Sequence, residues 1–224
     1  MGEYYNWVNV DKKEYLCPGD FGFGNKRTES LVRGSSLLCA LREMIFTKWS
    51  GDHLIFMGDE TPVFQEADNE ALRILYRHSV EAGFPGEPFD TVCETYRNVS
   101  ALFRVAEQEV RKEIRFYVRD ARCGKSQLQN TFGVDLNEPF AGLFLKTGKD
   151  FRYTINHTKK VYYAFGETKI LYLDHTECGY ADPLPLLMAY GRATVTGAWV
   201  GDIVAVSDDI PKGYELLQEI YLDW

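Results

Sequence analysis

The sequence predicts an α+β protein in which two β-rich pseudo-repeat units, one at each end of the chain, flank a mostly helical insertion. Three observations lead to this prediction. Two sequence blocks recur in the same order near both ends, short apolar runs alternate there with turn residues, and apolar residues of the middle recur every three or four positions. The units are predicted at residues 1–63 and 151–224, with the insertion at 64–150, and all three are expected to form one compact domain.

Composition and charge indicate a folded, acidic protein. The 224 residues are 45% hydrophobic and 26% charged, which is ordinary for a globular protein and excludes a disordered or fibrous chain. Thirty-three acidic residues against 25 Lys and Arg give a formal net charge of −8. That charge disfavours nucleic acid and anionic membrane as partners and suits association with a basic protein, although solubility alone also explains it.

The expected location is the cytoplasm. No apolar run approaches the roughly 20 residues of a membrane helix, and the N-terminus lacks the pattern of a signal peptide. Five cysteines, an odd number at wide spacing, favour a reducing compartment over a disulfide framework.

Two recurring blocks carry the prediction of a duplication. The first block is a β-branched residue, Asn, two free positions, Lys-Lys, one free position and Tyr, with Asn9 and Asn156 in its second position. The second block is Trp-x-Gly-Asp followed by a mainly apolar run. Its Trp49 follows Asn9 by 40 residues, and its Trp199 follows Asn156 by 43. Blocks in one order at nearly equal separation indicate an internal repeat.

Each block has a structural interpretation. The first suits a β-hairpin whose turn is Asn/Asp-Lys-Lys, with the Asn side chain bonded to the turn backbone and both lysines in water. The second suits a turn that enters a buried strand, with the Trp packed beneath it as an anchor. Turn formation is the favoured role of its aspartates, and pairing of the two across a pseudo-twofold axis is the alternative. The predicted partner-binding residues of the two units are Trp49, Asp52, Trp199 and Asp202.

Local patterns place the helices of the first 100 residues. Ser35 or Ser36 is predicted to cap a helix whose apolar residues share one face. That face contains Leu37, Leu41, Met44 and Ile45. Asp68 is predicted to cap the first helix of the insertion, which Gly83 closes. Leu72, Leu75, Tyr76 and Val80 are expected on one side of this second helix.

A long amphipathic helix is predicted from about Asn98 to Arg122, with a strand over 114–118 as the alternative. Five arginines recur near one face of it. This predicted arginine stripe consists of Arg104, Arg111, Arg115, Arg119 and Arg122. On an acidic protein the stripe suits a phosphate-bearing ligand or an acidic partner surface, whereas pairing with acids of the same chain, such as Glu107, is the structural alternative.

The C-terminal unit is expected to be rich in strands. The candidate strands are 151–155, 161–165, 169–173, 202–206 and 214–222. Pro183 and Pro185 predict that the 184–190 stretch starts at a sheet edge or in a loop. The run Asp174–Cys178 brings an acid, a base and a thiol together, and its favoured interpretation is a polar surface loop rather than a catalytic or metal site.

The function that these patterns favour is that of a non-catalytic acidic binding protein, of the immunity or antitoxin kind, with a basic protein as partner. One alternative is an enzyme or sensor that binds a phosphate-bearing or nucleotide ligand at the junction of the two units through the arginine stripe. Another is an oligomeric scaffold, for which the aromatic content of 14% would supply contact surface. No catalytic residue, cofactor or metal is predicted.

Overall fold

The computed structural model describes residues 2–21, 25–100, 103, 151–192 and 196–222. The five arginines of the predicted stripe lie outside these residues, as does all but the start of the helix predicted to carry them. The described residues mix α and β structure. Their α-helices are α1 (Ser36–Phe46), α2 (Glu70–Glu81), α3 (Pro88–Thr95) and α4 (Leu184–Met188).

The strands of the described ranges are short. Those of the N-terminal part are β1 (Tyr5–Asn9), β2 (Glu14–Leu16), β3 (Leu54–Gly58) and β4 (Arg97–Asn98). Those of the C-terminal part are β5 (Tyr153–Asn156), β6 (Val161–Ala164), β7 (Lys169–Tyr172), β8 (Ala189–Tyr190), β9 (Val204–Ser207), β10 (Glu215–Leu216) and β11 (Glu219–Leu222). Two 3₁₀-helices, Pro18–Phe21 and Arg27–Leu31, lead from β2 towards α1.

The first sheet has the strand order β4-β2-β1-β3-β8. Its central strand β1 runs antiparallel to both neighbours, so Trp7 pairs with Leu16 on one side and with Phe56 on the other. The outer strands β4 and β8 add in parallel. A strand from each end of the chain therefore belongs to this sheet, because β8 comes from the C-terminal part.

The second sheet has the strand order β10-β6-β5-β9, and β11 pairs with β7 separately. Its strand β5 runs antiparallel to both neighbours, with Asn156 opposite Val161 and Val204. An isolated antiparallel bridge between His53 and Ile203 joins the residues that precede β3 and β9.

One hydrophobic core receives side chains from both ends of the chain. Trp7, Trp49 and Phe56 share it with Tyr163 and Trp199, and α1 contributes its apolar face. A second core lies on the other side of the first sheet, under α2 and α3. The first sheet is thus covered on both faces.

The helix α1 follows its sequence pattern. Ser35 caps it, with its side chain accepting a hydrogen bond from the Leu38 N–H. The four apolar residues predicted on its face are buried. A stripe at helical spacing and a serine N-cap were sufficient here because both signals concern neighbours along the chain.

The prediction for α2 was wrong at its N-cap, and the buried stripe of the helix differs from its apolar side. Asn69, and not Asp68, is the N-cap, since the Asn69 side chain accepts from the Leu72 N–H at 3.2 Å. Val80 is 50% exposed, because the buried stripe runs instead through Ala71, Leu72, Leu75 and Ser79. Helical spacing of about 100° per residue turns position 80 away from that stripe.

Further predictions needed correction around the C-terminal unit. All five candidate strands overlap observed strands, but the 214–222 run is divided into β10 and β11, which join different sheets. The 184–190 stretch starts as helix α4 and not as a loop, since prolines are tolerated in a first helical turn, and it ends in β8 at the edge of the first sheet. The long helix was predicted from about Asn98, and helical geometry begins two residues later at Ser100, because Asn98 ends β4 and its side chain donates to Asp20.

Candidate functional site

The hairpin turn after β1 is fixed by an Asn–Asp–Lys cluster. The Asn9 side chain donates to the Asp52 carboxylate at 2.8 Å and accepts from the Lys12 N–H at 2.9 Å. The Lys12 ammonium lies 2.5 Å from the same Asp52 carboxylate. Two residues next to the cluster in sequence have positive φ, Lys13 at 53° and Gly51 at 83°.

The hairpin turn after β5 contains the same set of contacts. The Asn156 side chain donates to Asp202 at 2.7 Å and accepts from the Lys159 N–H at 2.9 Å. The Lys159 ammonium lies 3.3 Å from Asp202. Lys160 and Gly201 have the positive φ values here, 57° and 67°.

The four partner-binding residues predicted in the two units lie in or beneath these hairpin turns. Asp52 and Asp202 are both engaged by an asparagine and a lysine of their own hairpin, and Asp202 is buried. Trp49 and Trp199 are buried beneath the turns. Their part in binding a partner stays a prediction, and such a part would be indirect because the indoles do not reach the surface.

Trp49 is bonded to a buried acid. Its indole N–H donates to Glu14 at 2.8 Å, and Arg97 pairs with the other oxygen of that carboxylate. Burial opposes ionisation of Glu14, but the hydrogen bonds from Trp49 and Arg97 outweigh it, so the pKa of this carboxyl lies below its usual value. Trp49 is therefore held in place by the Glu14 carboxylate of β2.

Negative charge is concentrated in one segment of the chain. Residues 59–94, the acidic segment, contain nine Asp and Glu against two Arg, a formal charge of −7 out of the total of −8. Eight of the nine acids are exposed. The acidic segment comprises α2, all of α3 but its last residue and the loops before these helices, so the charge covers the outer side of the second core.

A cavity of about 370 Å³ lies where the start of α1 meets the C-terminal part of the chain. Its N-terminal wall is the run Val32–Gly34 with Leu38, Cys39 and Arg42, and its C-terminal wall is Phe165, Gly179 and Tyr180. The backbone N–H of Arg33 donates to the Tyr180 carbonyl at 2.9 Å and joins the two walls. The guanidinium of Arg33 stacks 3.7 Å from the centroid of the Phe165 ring.

A buried ionic network lies at the inner side of this cavity. Arg42 pairs at 2.7 Å with Asp182, whose side chain is 1% exposed. The Tyr163 hydroxyl donates to the other Asp182 oxygen at 2.6 Å, and the Leu184 N–H donates to it at 3.0 Å. Burial and the adjacent Asp182 charge raise the pKa of Tyr163 well above its ordinary value. The carboxylate is thus satisfied on both oxygens.

The Asp174–Cys178 run adopts a local turn. Asp174 accepts from the backbone N–H and the hydroxyl of Thr176, and His175 has φ of 66°. Cys178 is buried, whereas His175 is exposed. Within the described residues no three His, Cys, Asp or Glu side chains gather in a way that could hold a metal ion.

No family model, curated protein or solved structure matches this chain. In the described ranges no helix is both long and apolar enough to cross a bilayer. The cavity residues Arg33, Arg42 and Phe165 were not predicted as a site. Their partners lie more than 100 positions away in sequence, so no local spacing connects them.

Proposed function

We propose that the two ends of the chain are copies of one folding element and that the protein is a non-catalytic binding protein, of the immunity or antitoxin kind, whose acidic segment binds a basic protein. The observation that carries this proposal is the concentration of seven of the eight net negative charges in residues 59–94. Charge of one sign on one surface speeds encounter with an oppositely charged protein.

Matched geometry at the two hairpins supports the duplication. In both sheets an antiparallel strand that ends in Asn lies between the second hairpin strand and the strand that follows Trp-x-Gly-Asp. Both asparagines bond their Asp and their Lys N–H with distances that agree within 0.1 Å. The bridge between His53 and Ile203, one residue after each Asp, adds a symmetric contact between the units.

Some acids of the acidic segment form ion pairs with other described residues, and others do not. Glu70 pairs with Arg73 and Arg77, Glu60 pairs with Arg192, and Glu81 lies 3.6 Å from Lys13. Five exposed acids have no ion-pair partner among the described residues. They are Glu66, Asp68, Glu87, Asp90 and Glu94. Such unpaired charge costs little in water and is favourable to a partner that brings lysines or arginines.

Two exposed apolar residues lie among these acids. Phe64 is 60% exposed and Val80 is 50% exposed. Their chain neighbours are connected, because the Val63 N–H donates to the Gly86 carbonyl and the Gly86 N–H donates to the Ser79 hydroxyl. Apolar anchors surrounded by charge are typical of protein interfaces, in which a few large side chains supply most of the affinity.

The absence of disulfides among the described cysteines supports a reducing compartment, and with it the cytoplasmic location of the proposal. Cys17, Cys39, Cys93 and Cys178 are all unbonded to one another. Disulfides are rare in cytosolic proteins, whose thiols are kept reduced.

The test compares capture by three forms of the tagged full-length chain. The first is wild type. The second carries Glu66→Lys, Glu87→Lys and Glu94→Lys in the acidic segment. The third carries the same change of net charge elsewhere, at exposed Glu177, Asp209 and Glu215. Each is incubated with lysate of its native cells, and retained proteins are identified and weighed by mass spectrometry at low and high salt.

The proposal expects one stoichiometric basic protein on wild type and on the third form, released by salt and absent from the second. It is refuted when wild type retains no basic protein, or when the reversal in the acidic segment leaves capture unchanged. A Phe64→Ser variant is expected to weaken the same complex at least tenfold without altering its salt dependence, since it removes an apolar contact and no charge.

A further inference from the structure

We propose that the cavity between α1 and the C-terminal part binds a small organic phosphate monoester, with the phosphate at Arg33 and the organic body against Phe165. This inference goes beyond the proposed function, because the cavity residues and the acidic segment do not overlap. The phosphate site predicted from the sequence uses the arginine stripe of residues 104–122, whereas the cavity site uses Arg33 and Arg42.

The position of Arg33 is the first argument. Arg33 is exposed, and no acid among the described residues forms an ion pair with it. Its guanidinium lies 3.7 Å from the Phe165 ring centroid, in cation–π distance. A guanidinium that stacks through its face keeps its N–H donors at the edges, where they bond phosphate oxygens in a bidentate manner.

The charge of the cavity wall is the second argument. Arg42 also lines the cavity, with its carbon Cζ 5.5 Å from the same ring, and Asp182 balances it from behind. The two arginines and one aspartate sum to a positive charge in a protein of net charge −8. The first turn of α1, which begins at Ser36 beside the cavity residue Gly34, adds the positive end of a helix dipole.

The size and apolar lining of the cavity define the rest of the ligand. A volume of about 370 Å³ is near the lower end of the range for small-molecule sites, which runs from about 300 to 1,000 Å³. Its side chains include the apolar and aromatic residues Val32, Leu38, Phe165 and Tyr180. A ligand of one phosphate and one ring fits this description, whereas a nucleic-acid chain would bring many charges to an acidic protein.

The test uses phenyl phosphate as the probe, with phenol and inorganic phosphate as its two halves. Each is titrated into the full-length protein at constant ionic strength, by calorimetry and by thermal denaturation. Phenyl phosphate is expected to bind with one site and to raise Tm, whereas phenol leaves Tm unchanged. Inorganic phosphate is expected to bind at least tenfold more weakly than phenyl phosphate, because it lacks the ring.

Two variants locate the binding. Arg33→Gln is expected to weaken phenyl phosphate at least tenfold without lowering Tm of the free protein, since the side chain is exposed. The matched control is Arg152→Gln, because Arg152 also lies over an aromatic ring, Tyr153 at 5.0 Å, but outside the cavity. The control is expected to bind phenyl phosphate as wild type does.

Three results would overturn the proposal. They are no binding of phenyl phosphate to wild type, equal binding of phenol, and undiminished affinity in Arg33→Gln. A conservative Arg33→Lys variant separates charge from shape, since lysine keeps the charge but loses the planar fork. Its affinity is expected between those of wild type and Arg33→Gln, and affinity as low as that of Arg33→Gln would assign the site to the bidentate geometry alone.

Discussion

The buried ion pair between Arg42 and Asp182 predicts a large loss of stability when either partner is replaced. Replacing Arg42 by Met keeps much of the side-chain length but leaves the Asp182 carboxylate without its cation. The side chain of Asp182 is 1% exposed in the folded protein, so its charge is compensated by the guanidinium and not by bulk water. Tyr163 and the Leu184 N–H remain as its hydrogen-bond donors.

The expected loss of stability follows from the cost of an uncompensated buried charge. Breaking such a pair on one side costs about 3–5 kcal/mol. The two donors that remain place Arg42→Met at the lower end, about 3 kcal/mol. For a chain of this length each kcal/mol lowers Tm by roughly 2–4 °C, so Tm is expected to fall by about 6–12 °C.

The assay is a double-mutant cycle with Asp182→Asn, measured by urea unfolding and calorimetry. Asparagine keeps an acceptor for Tyr163 and Leu184 but removes the charge. Asp182→Asn is therefore expected to destabilise wild type by about 3 kcal/mol and to cost little in the Arg42→Met background, a coupling of about 2–3 kcal/mol. Losses that add to within about 0.5 kcal/mol would refute the ionic account of this network.

Three further substitutions test other parts of the structure. Because the pKa of Tyr163 is raised in the folded state by burial and by Asp182, its stabilising contribution is complete below the unfolded pKa of about 10 and is lost as pH rises above it. The stability gap between wild type and Tyr163→Phe is thus expected to narrow above pH 10 in urea titrations, and a constant gap would contradict this. Gly51→Ala is expected to cost about 1–2 kcal/mol for its positive φ alone, since its added Cβ meets no atom within 4 Å. Gly201→Ala is expected to cost about 1–3 kcal/mol more, because its Cβ would lie 2.4 Å from the Asn69 side chain, and equal losses would contradict the clash.

Local patterns were sufficient for the elements whose signals are local. The hairpin at Asn9 and the capped helix α1 follow from neighbours within four positions, and both are observed. The lysine of that turn behaves differently from its prediction, since the Lys12 ammonium bonds Asp52 instead of facing only water. Its partner lies 40 positions away, outside the range of any local pattern.

The errors have physical causes of the same kind. Asp68 and Asn69 are both good caps, and only packing decides between them: Asn69 also donates to the Val200 carbonyl at 2.6 Å. Proline at position 185 is excluded from the interior of a strand, but it fits a sheet edge and a first helical turn equally well. The tertiary contacts of this segment favour the helix. Sequence patterns do not predict the cavity, because Arg33 and Phe165 come into contact only in the folded chain.

The parallel pairing of β3 with β8 has a consequence for biosynthesis. During synthesis, Phe56 is made well before Ala189, its partner on the β8 side of β3. The Leu54 carbonyl likewise precedes its donor, the Gly201 N–H. Phe56 and Ala189 are 133 positions apart in a chain of 224 residues, so the partner of β3 is made long after β3 itself. Unpaired strand edges pair with foreign strands, so incomplete chains that lack β8 are expected to aggregate more readily than the full chain.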